Sequence, residues 1–117
     1  MNGAELERAF ADASAKRSEF LRSGEVRKGN KEYDRIHAIN NQMRLLPDRG
    51  EAPLKRLCES TDLDLKLLAA ANLLAVNEAY AVGQLEAIAA PGAGMKAFEA
   101  KMTLKEWRRG DLRGYLE

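Results

Sequence analysis

The chain is poor in the residues that form cross-links, bind metals or interrupt helices. Its 117 residues include one cysteine, one histidine and three prolines, at positions 47, 53 and 91. The lone cysteine, Cys58, excludes an intramolecular disulfide, and one cysteine with one histidine cannot assemble a usual zinc site. We therefore expect no metal and no cofactor, and long stretches of the chain are free to be helical.

Charge of one sign and long apolar runs are also scarce. Nineteen basic and eighteen acidic residues give a net charge of +1, so composition requires neither a nucleic acid nor an anionic membrane as partner. The opening "MNGAELERAF" lacks the apolar core of a signal peptide. No apolar run approaches the ~20 residues that span a bilayer. We expect a cytoplasmic protein with no membrane partner.

The apolar residues that are present favour helices. Aromatic residues make up only 6% of the chain, and alanine and leucine, which favour helix over strand, supply most of the apolar content. Apolar spacings of three, four and seven, with "SGE", "PGAG" and Gly110 as stops, predict about six helices. Their approximate ranges are 4–22, 26–46, 52–59, 62–76, 78–90 and 95–109.

The segment "LLAAANLLAV" at 67–76 contains a single polar residue, Asn72. A helix that is apolar nearly all round is usually covered on more than one side, and a strand is disfavoured because Val76 is its only β-branched residue. Asp62 or Asp64 is placed to cap the start of this helix. We predict an inner helix wedged between neighbours.

A weak internal repeat supports a stack of helix pairs. An offset of 31 residues aligns Leu54 with Leu85 and Leu57 with Ile88, as expected when successive helix pairs bury equivalent faces. The fold prediction is all-α, a short right-handed HEAT/armadillo-like stack (an alpha-alpha superhelix) forming one domain over 1–117. Residues 111–117 are expected to be a tail that is either loose or docked through Leu112 and Tyr115.

Four segments, "EYDRIHAI", "DLKLLAAANLLAV", "LEAIA" and "AKMTLKEWRRG", resemble a small bacterial family with HEAT-like helical repeats, domain of unknown function number two thousand and nineteen. The resemblance covers roughly residues 30–110. It implies the helical-repeat fold and transfers no catalytic residue. The family pattern often has an arginine after a valine where Lys66 and Leu67 stand here.

Two residues could carry catalysis, although each has a simpler structural interpretation. His37 follows Asp34 by three residues, and a carboxylate can orient a histidine for proton transfer. Cys58 could act as a nucleophile with His37. Yet His37 borders an apolar face and Cys58 lies on one, where free cysteines are commonly buried. An enzyme using this pair is the third and least favoured hypothesis.

The remaining functional signals are basic clusters and one tryptophan. The clusters at 27–35 and 105–113 could bind nucleic acid, but acidic residues are interspersed with the bases, so a solvated mixed-charge surface is favoured. Trp107 beside Arg108 and Arg109 resembles an interface hot spot, or it closes the last helix onto the core. The preferred function is a non-catalytic scaffold that binds another protein. The candidate binding residues are Trp107, Arg108, Arg109 and Lys66.

Overall fold

The computed structural model of the chain describes residues 1–92 and 94–112, and within these ranges it contains six helices and no β-strand. None of these helices combines the length and the hydropathy needed to cross a lipid bilayer. The six helices and the absence of a strand in the described ranges confirm the all-α prediction. Tyr115 of the predicted tail lies outside the described residues. The helices are α1 (Gly3–Arg22), α2 (Val26–Met43), α3 (Glu51–Leu57), α4 (Leu63–Leu73), α5 (Glu78–Ala89) and α6 (Met95–Arg108).

The chain divides into two compact units, Met1–Pro53 and Leu54–Glu117. The first contains α1, α2 and the start of α3, and the second contains the rest of α3 together with α4, α5 and α6. The expectation of a single domain over 1–117 stays a prediction.

In the first unit, α1 packs along α2. Asn2 caps α1, because its side chain accepts a hydrogen bond from the Glu5 amide at 2.9 Å while the Glu5 carboxylate accepts one from the Asn2 amide at 3.0 Å. The helix ends before Gly24, whose φ of +80° allows the left-handed turn predicted there. The hydrophobic core of this unit contains Leu6, Phe10, Ala13, Ile36, Ile39 and Met43.

The segment 47–53 follows α2 and contains the start of α3. The Asp48 carboxylate accepts hydrogen bonds from the Gly50 and Ala52 amides, each at 2.9 Å. Gly50 has a φ of +88°, and a Cβ atom there would lie 2.7 Å from the Cβ of Met43. Only glycine fits that position, so this turn fixes where α3 begins.

In the second unit, α4 packs against both α5 and α6, and α5 packs against α6. The Asp62 side chain caps α4 by accepting from the Asp64 amide at 3.0 Å. The polar Asn72 is accommodated because its amide group donates to the Leu68 carbonyl at 2.8 Å. The buried residues of α4 point in several directions, which confirms the prediction of an inner helix, although the helix ends at Leu73 and not near residue 76. These buried residues are Leu65, Leu67, Ala69, Ala70, Asn72 and Leu73.

Candidate functional site

Helix α6 has an apolar stripe on the side that faces solvent. Met95 is 70% exposed and Phe98 is 59% exposed, and Met102, one turn further on, is half-buried. Spacings of three and four place these side chains on one side of the helix. The inner side is formed by other residues, namely Ala97, Ala100, Leu104 and Trp107, all of which are buried.

A row of cations runs beside this stripe. Lys101, Lys105 and Arg108 are exposed at spacings of four and three, so they share one flank of α6. None of the three forms an ion pair with another residue in the described part of the chain. Their positive charge also suits the C-terminal half of the helix, where the helix dipole is negative. We call the side formed by the stripe and this row the α6 outer face.

An ion pair between side chains joins the first turn of α6 to the first turn of α4. The Lys96 ammonium is ion-paired with the Asp64 carboxylate and lies 3.2 Å from an oxygen of Glu99. Partial burial opposes the charge of Lys96, but the hydrogen bonds to the two carboxylates outweigh that cost and raise the pKa of Lys96 above its ordinary value. This anchoring holds the helix that carries Met95 and Phe98 in place.

Trp107 belongs to the core and not to an exposed surface. Its side chain is 2% exposed, and the indole N–H donates to a carboxylate oxygen of Glu78, in the first turn of α5, at 2.7 Å. Of the two sequence interpretations, closure of the last helix onto the core is the one that the structure supports. A direct contact between Trp107 and a partner is therefore not part of the candidate site.

The other predicted binding residues occupy two places in the second unit. Arg108 and Arg109 are exposed at the end of α6, where the Arg109 guanidinium lies 3.6 Å from Asp111. Lys66 is a half-buried residue of α4, close enough to Cys58 for its charge to act on the thiol. Of these residues, Arg108 belongs to the α6 outer face and Lys66 does not.

Sequence reasoning missed the apolar half of the α6 outer face. The apolar residues Phe98, Met102 and Trp107 predicted the helix correctly, but they do not lie on one side of it. The available signal was the row Ala97, Ala100, Leu104 and Trp107, whose spacings of three and four define the inner side. The small alanines made that row weaker than the bulky residues opposite.

The proposed catalytic pair has a poor nucleophile. Cys58 is 1% exposed, and burial raises the pKa of its thiol to about 11. At neutral pH the reactive thiolate is then rare, whereas nucleophilic cysteines need a lowered pKa and access to solvent. His37 is a half-buried residue of α2 in the first unit. These properties favour a packing role for Cys58.

Two of the four basic residues in the cluster at 27–35 are paired with carboxylates. The Lys28 ammonium lies 2.9 Å from Glu25, and the Arg35 guanidinium lies 3.1 Å from Asp12 and 3.2 Å from Glu32. Hydrogen bonding to Arg35 lowers the pKa of Asp12, and hydrogen bonding to Lys28 lowers that of Glu25. This is the mixed-charge surface favoured by the sequence. Arg27 and Lys31 are exposed and form no ion pair with another described residue, but acidic residues lie beside the paired cations of the same cluster.

The described residues contain no metal-binding group of three or more histidine, cysteine, aspartate or glutamate side chains. The candidate site is thus a surface of apolar and cationic side chains. Such a surface can bind through packing and charge, which needs no reacting group.

Comparisons with known proteins agree with the helical fold. A family described as "Domain of unknown function (DUF2019)" matches residues 4–107 of the chain. The crystal structure of the protein RPA1889 from Rhodopseudomonas palustris CGA009 is similar, with a TM-score of 0.86 and 24% sequence identity over 94% of this chain and 91% of that chain. This similarity shows a shared fold. No curated protein matches the sequence significantly.

Proposed function

The chain belongs to the DUF2019 family, and we propose that it is a non-catalytic helical scaffold that binds another protein through the α6 outer face. The observation that carries this proposal is the exposure of Met95 and Phe98 on the side of α6 that is opposite its buried side. Large apolar side chains grouped on one exposed surface and bordered by polar residues are typical of interaction sites.

The scaffold is proposed to be a short right-handed HEAT/armadillo-like stack. Support comes from the six helices with short connections and from the weak 31-residue repeat that relates Leu54 to Leu85 and Leu57 to Ile88. In such stacks each helix pair buries one face against the next and leaves another face open for partners. The outer side of α6, which is exposed at Met95 and Phe98, would be such an open face.

Site-specific cross-linking tests this function directly. A photoreactive phenylalanine analogue in place of Phe98 is expected to capture a specific protein from a native lysate. The same analogue in place of Leu45, which is 84% exposed in the first unit, is the matched control. If position 98 captures nothing that position 45 does not also capture, the proposal loses its support.

Nucleic-acid binding is the second candidate function. It is favoured by one observation: Lys101, Lys105 and Arg108 are exposed and have no ion-pair partner among the described residues. Such binding falls steeply with salt, because phosphate contacts release counterions. A mobility shift of DNA or RNA at ~50 mM salt that vanishes near ~200 mM would support it. Absence of a shift at the lower salt concentration would reject it.

A further inference from the structure

We propose that the partner segment bound by the α6 outer face is an acidic amphipathic helix, an inference that rests on the proposed function. The apolar stripe would pack against the apolar side of that helix, and the cation row would pair with its carboxylates. The proposal depends on the spacing of the exposed residues and on their charge.

The apolar stripe has the form that helix-on-helix packing requires. Met95, Phe98 and Met102 follow one another at spacings of three and four, which is the spacing of the ridges that interdigitate between packed helices. Methionine side chains adapt to different partner surfaces, and a phenylalanine between them offers a large apolar anchor. From Met95 to Arg108 the helix is about 20 Å long, which matches a partner helix of about four turns.

The cation row selects the charge of the partner. Lys101, Lys105 and Arg108 have no described ion-pair partner. The opposite flank contains two glutamates: Glu99, which is engaged by Lys96, and the half-buried Glu106. A partner helix with glutamates or aspartates at the same spacing would supply the missing counter-charges. A basic partner would meet like charges along the whole row.

The combination of stripe and row favours a peptide over a nucleic acid or a membrane. Phosphodiester groups could pair with the lysines, but they would leave Met95 and Phe98 in contact with water or with charge. Insertion into a membrane requires a broad exposed apolar face. One side of α6 is buried in the core, so only the narrow apolar stripe could contact lipid. An acidic amphipathic helix can pack its apolar side against the stripe and pair its carboxylates with the cation row at the same time.

The test uses the full chain and two synthetic helices of about 18 residues with leucines at i, i+3, i+4 and i+7. One has glutamates flanking the leucines and the other has lysines, and both are labelled for fluorescence anisotropy. We expect the glutamate peptide to bind with a Kd in the micromolar range, and the lysine peptide to bind at least about tenfold more weakly. Raising the salt concentration should weaken the glutamate complex, because it screens the ion pairs.

Variants of α6 separate the two components of binding. Phe98→Ala is expected to lower the affinity for the glutamate peptide by about tenfold, in the range found for truncated interface anchors. Charge reversal by Lys101→Glu with Lys105→Glu should lower the affinity for the glutamate peptide at least as much. It should also raise the affinity for the lysine peptide. That exchange of preference is a result that mere loss of folding cannot produce.

Matched control variants lie in the first unit. Leu45→Ala removes an exposed apolar side chain, and Arg27→Glu with Lys31→Glu reverses two exposed charges on α2. Both controls are expected to change the affinity for the glutamate peptide less than about twofold. Circular dichroism should show unchanged helicity for every variant.

Several results would overturn the inference. These are equal binding of both peptides, no binding of either, or control variants that weaken binding as much as the α6 variants. Tighter binding to phosphatidylserine vesicles or to DNA would replace the acidic helix with that ligand. A concentration-dependent dimer in sedimentation that Phe98→Ala abolishes would assign the surface to a second copy of the chain.

The cross-linking experiment distinguishes this failure from failure of the proposed function. If position 98 captures a protein through a segment that is neither acidic nor helical, the scaffold function stands and the acidic-helix inference is wrong. If position 98 captures nothing specific and the glutamate peptide does not bind, both proposals fail.

Discussion

Helices α4 and α6 belong to the same compact unit and pack against each other, yet they place their apolar residues differently. Most apolar side chains of α4 are buried, in several directions around the helix. Helix α6 buries one side and exposes Met95 and Phe98 on the other. Packing within the chain accounts for the composition of α4 but not for that of the α6 outer face.

This difference shows that exposed apolar residues indicate function better than buried ones. A buried apolar residue needs no explanation beyond stability. An exposed pair of large apolar residues contributes little to folding and is better explained by binding. Met95 and Phe98 form such a pair on an anchored helix, beside cations that have no ion-pair partner in the described part of the chain. Substitutions in the core of the second unit should therefore lower the free energy of unfolding far more than substitutions on the α6 outer face.

The largest effect is expected in α4. Leu73 is fully buried, so Leu73→Ala should lower the free energy of unfolding by about 3 kcal/mol, through lost burial and the cavity left behind. Urea denaturation followed by circular dichroism measures this change. A loss below about 1 kcal/mol would mean that α4 is less tightly enclosed than its burial indicates.

A second effect concerns the buried thiol and depends on pH. The pKa of Cys58 is raised from 9.0 to about 11 in the folded state, so the folded protein holds this proton more tightly than the unfolded chain. The resulting stability is fully present below pH 9 and is lost as the pH rises toward 11. Between pH 9 and pH 11 the free energy of unfolding of the wild type should fall by up to about 2–3 kcal/mol more than that of Cys58→Ala.

Denaturation of the two proteins at several pH values provides the measurement, and the variant corrects for lysines and tyrosines that titrate in the same range. Parallel pH profiles for wild type and variant would show that the Cys58 thiol is not shielded. Labelling with a thiol reagent gives an independent check, since the native protein should react much more slowly than the unfolded chain.

A third, smaller effect concerns the inner side of α6. Trp107→Phe keeps an aromatic ring but removes the indole N–H that donates to Glu78, and should cost about 1–2 kcal/mol, from the lost hydrogen bond to a charged acceptor and a smaller ring. Glu78→Gln retains an acceptor and should cost less. A double-mutant cycle on the two positions is expected to show coupling, and additive costs would contradict the contact.

The smallest effect on stability is expected on the α6 outer face. Because Phe98 is 59% exposed, Phe98→Ala should change the free energy of unfolding by less than about 0.5 kcal/mol. The same substitution should lower the affinity for the glutamate peptide by about tenfold. Thermal denaturation beside the binding assay measures both. A cost above 2 kcal/mol would show that Phe98 is packed, and the contrast with α4 would disappear.

Local patterns were sufficient to predict most helices. The helix predicted at 4–22, the cap predicted at Asp62 or Asp64 and the stop predicted at "SGE" each depend on residues that are close in sequence. The structure has α1 at Gly3–Arg22, the cap at Asp62 and a left-handed Gly24 after α1. The alanine-rich composition of α4 also indicated its enclosure, because a helix without a polar side has no side to turn to water. These features depend on helix geometry alone.

The candidate site depended on contacts that the sequence does not display. Helix α6 has apolar residues on two sides, and its inner side was determined by packing against α4 and α5. The hydrogen bond from Trp107 to Glu78 joins residues 29 positions apart, and the ion pair of Lys96 with Asp64 joins two different helices. No local pattern distinguishes such partners from other charged residues, so the sequence left Trp107 as a candidate binding residue as well as a core residue.

The enclosed indole has a practical consequence for experiments. Trp107 is the only tryptophan in the chain, so intrinsic emission from the native protein should be blue-shifted and shielded from quenchers such as iodide or acrylamide. Unfolding would shift that emission to the red without any added dye. A ligand seated on the opposite side of the same helix should leave the spectrum nearly constant, so one optical signal can separate occupancy from loss of structure.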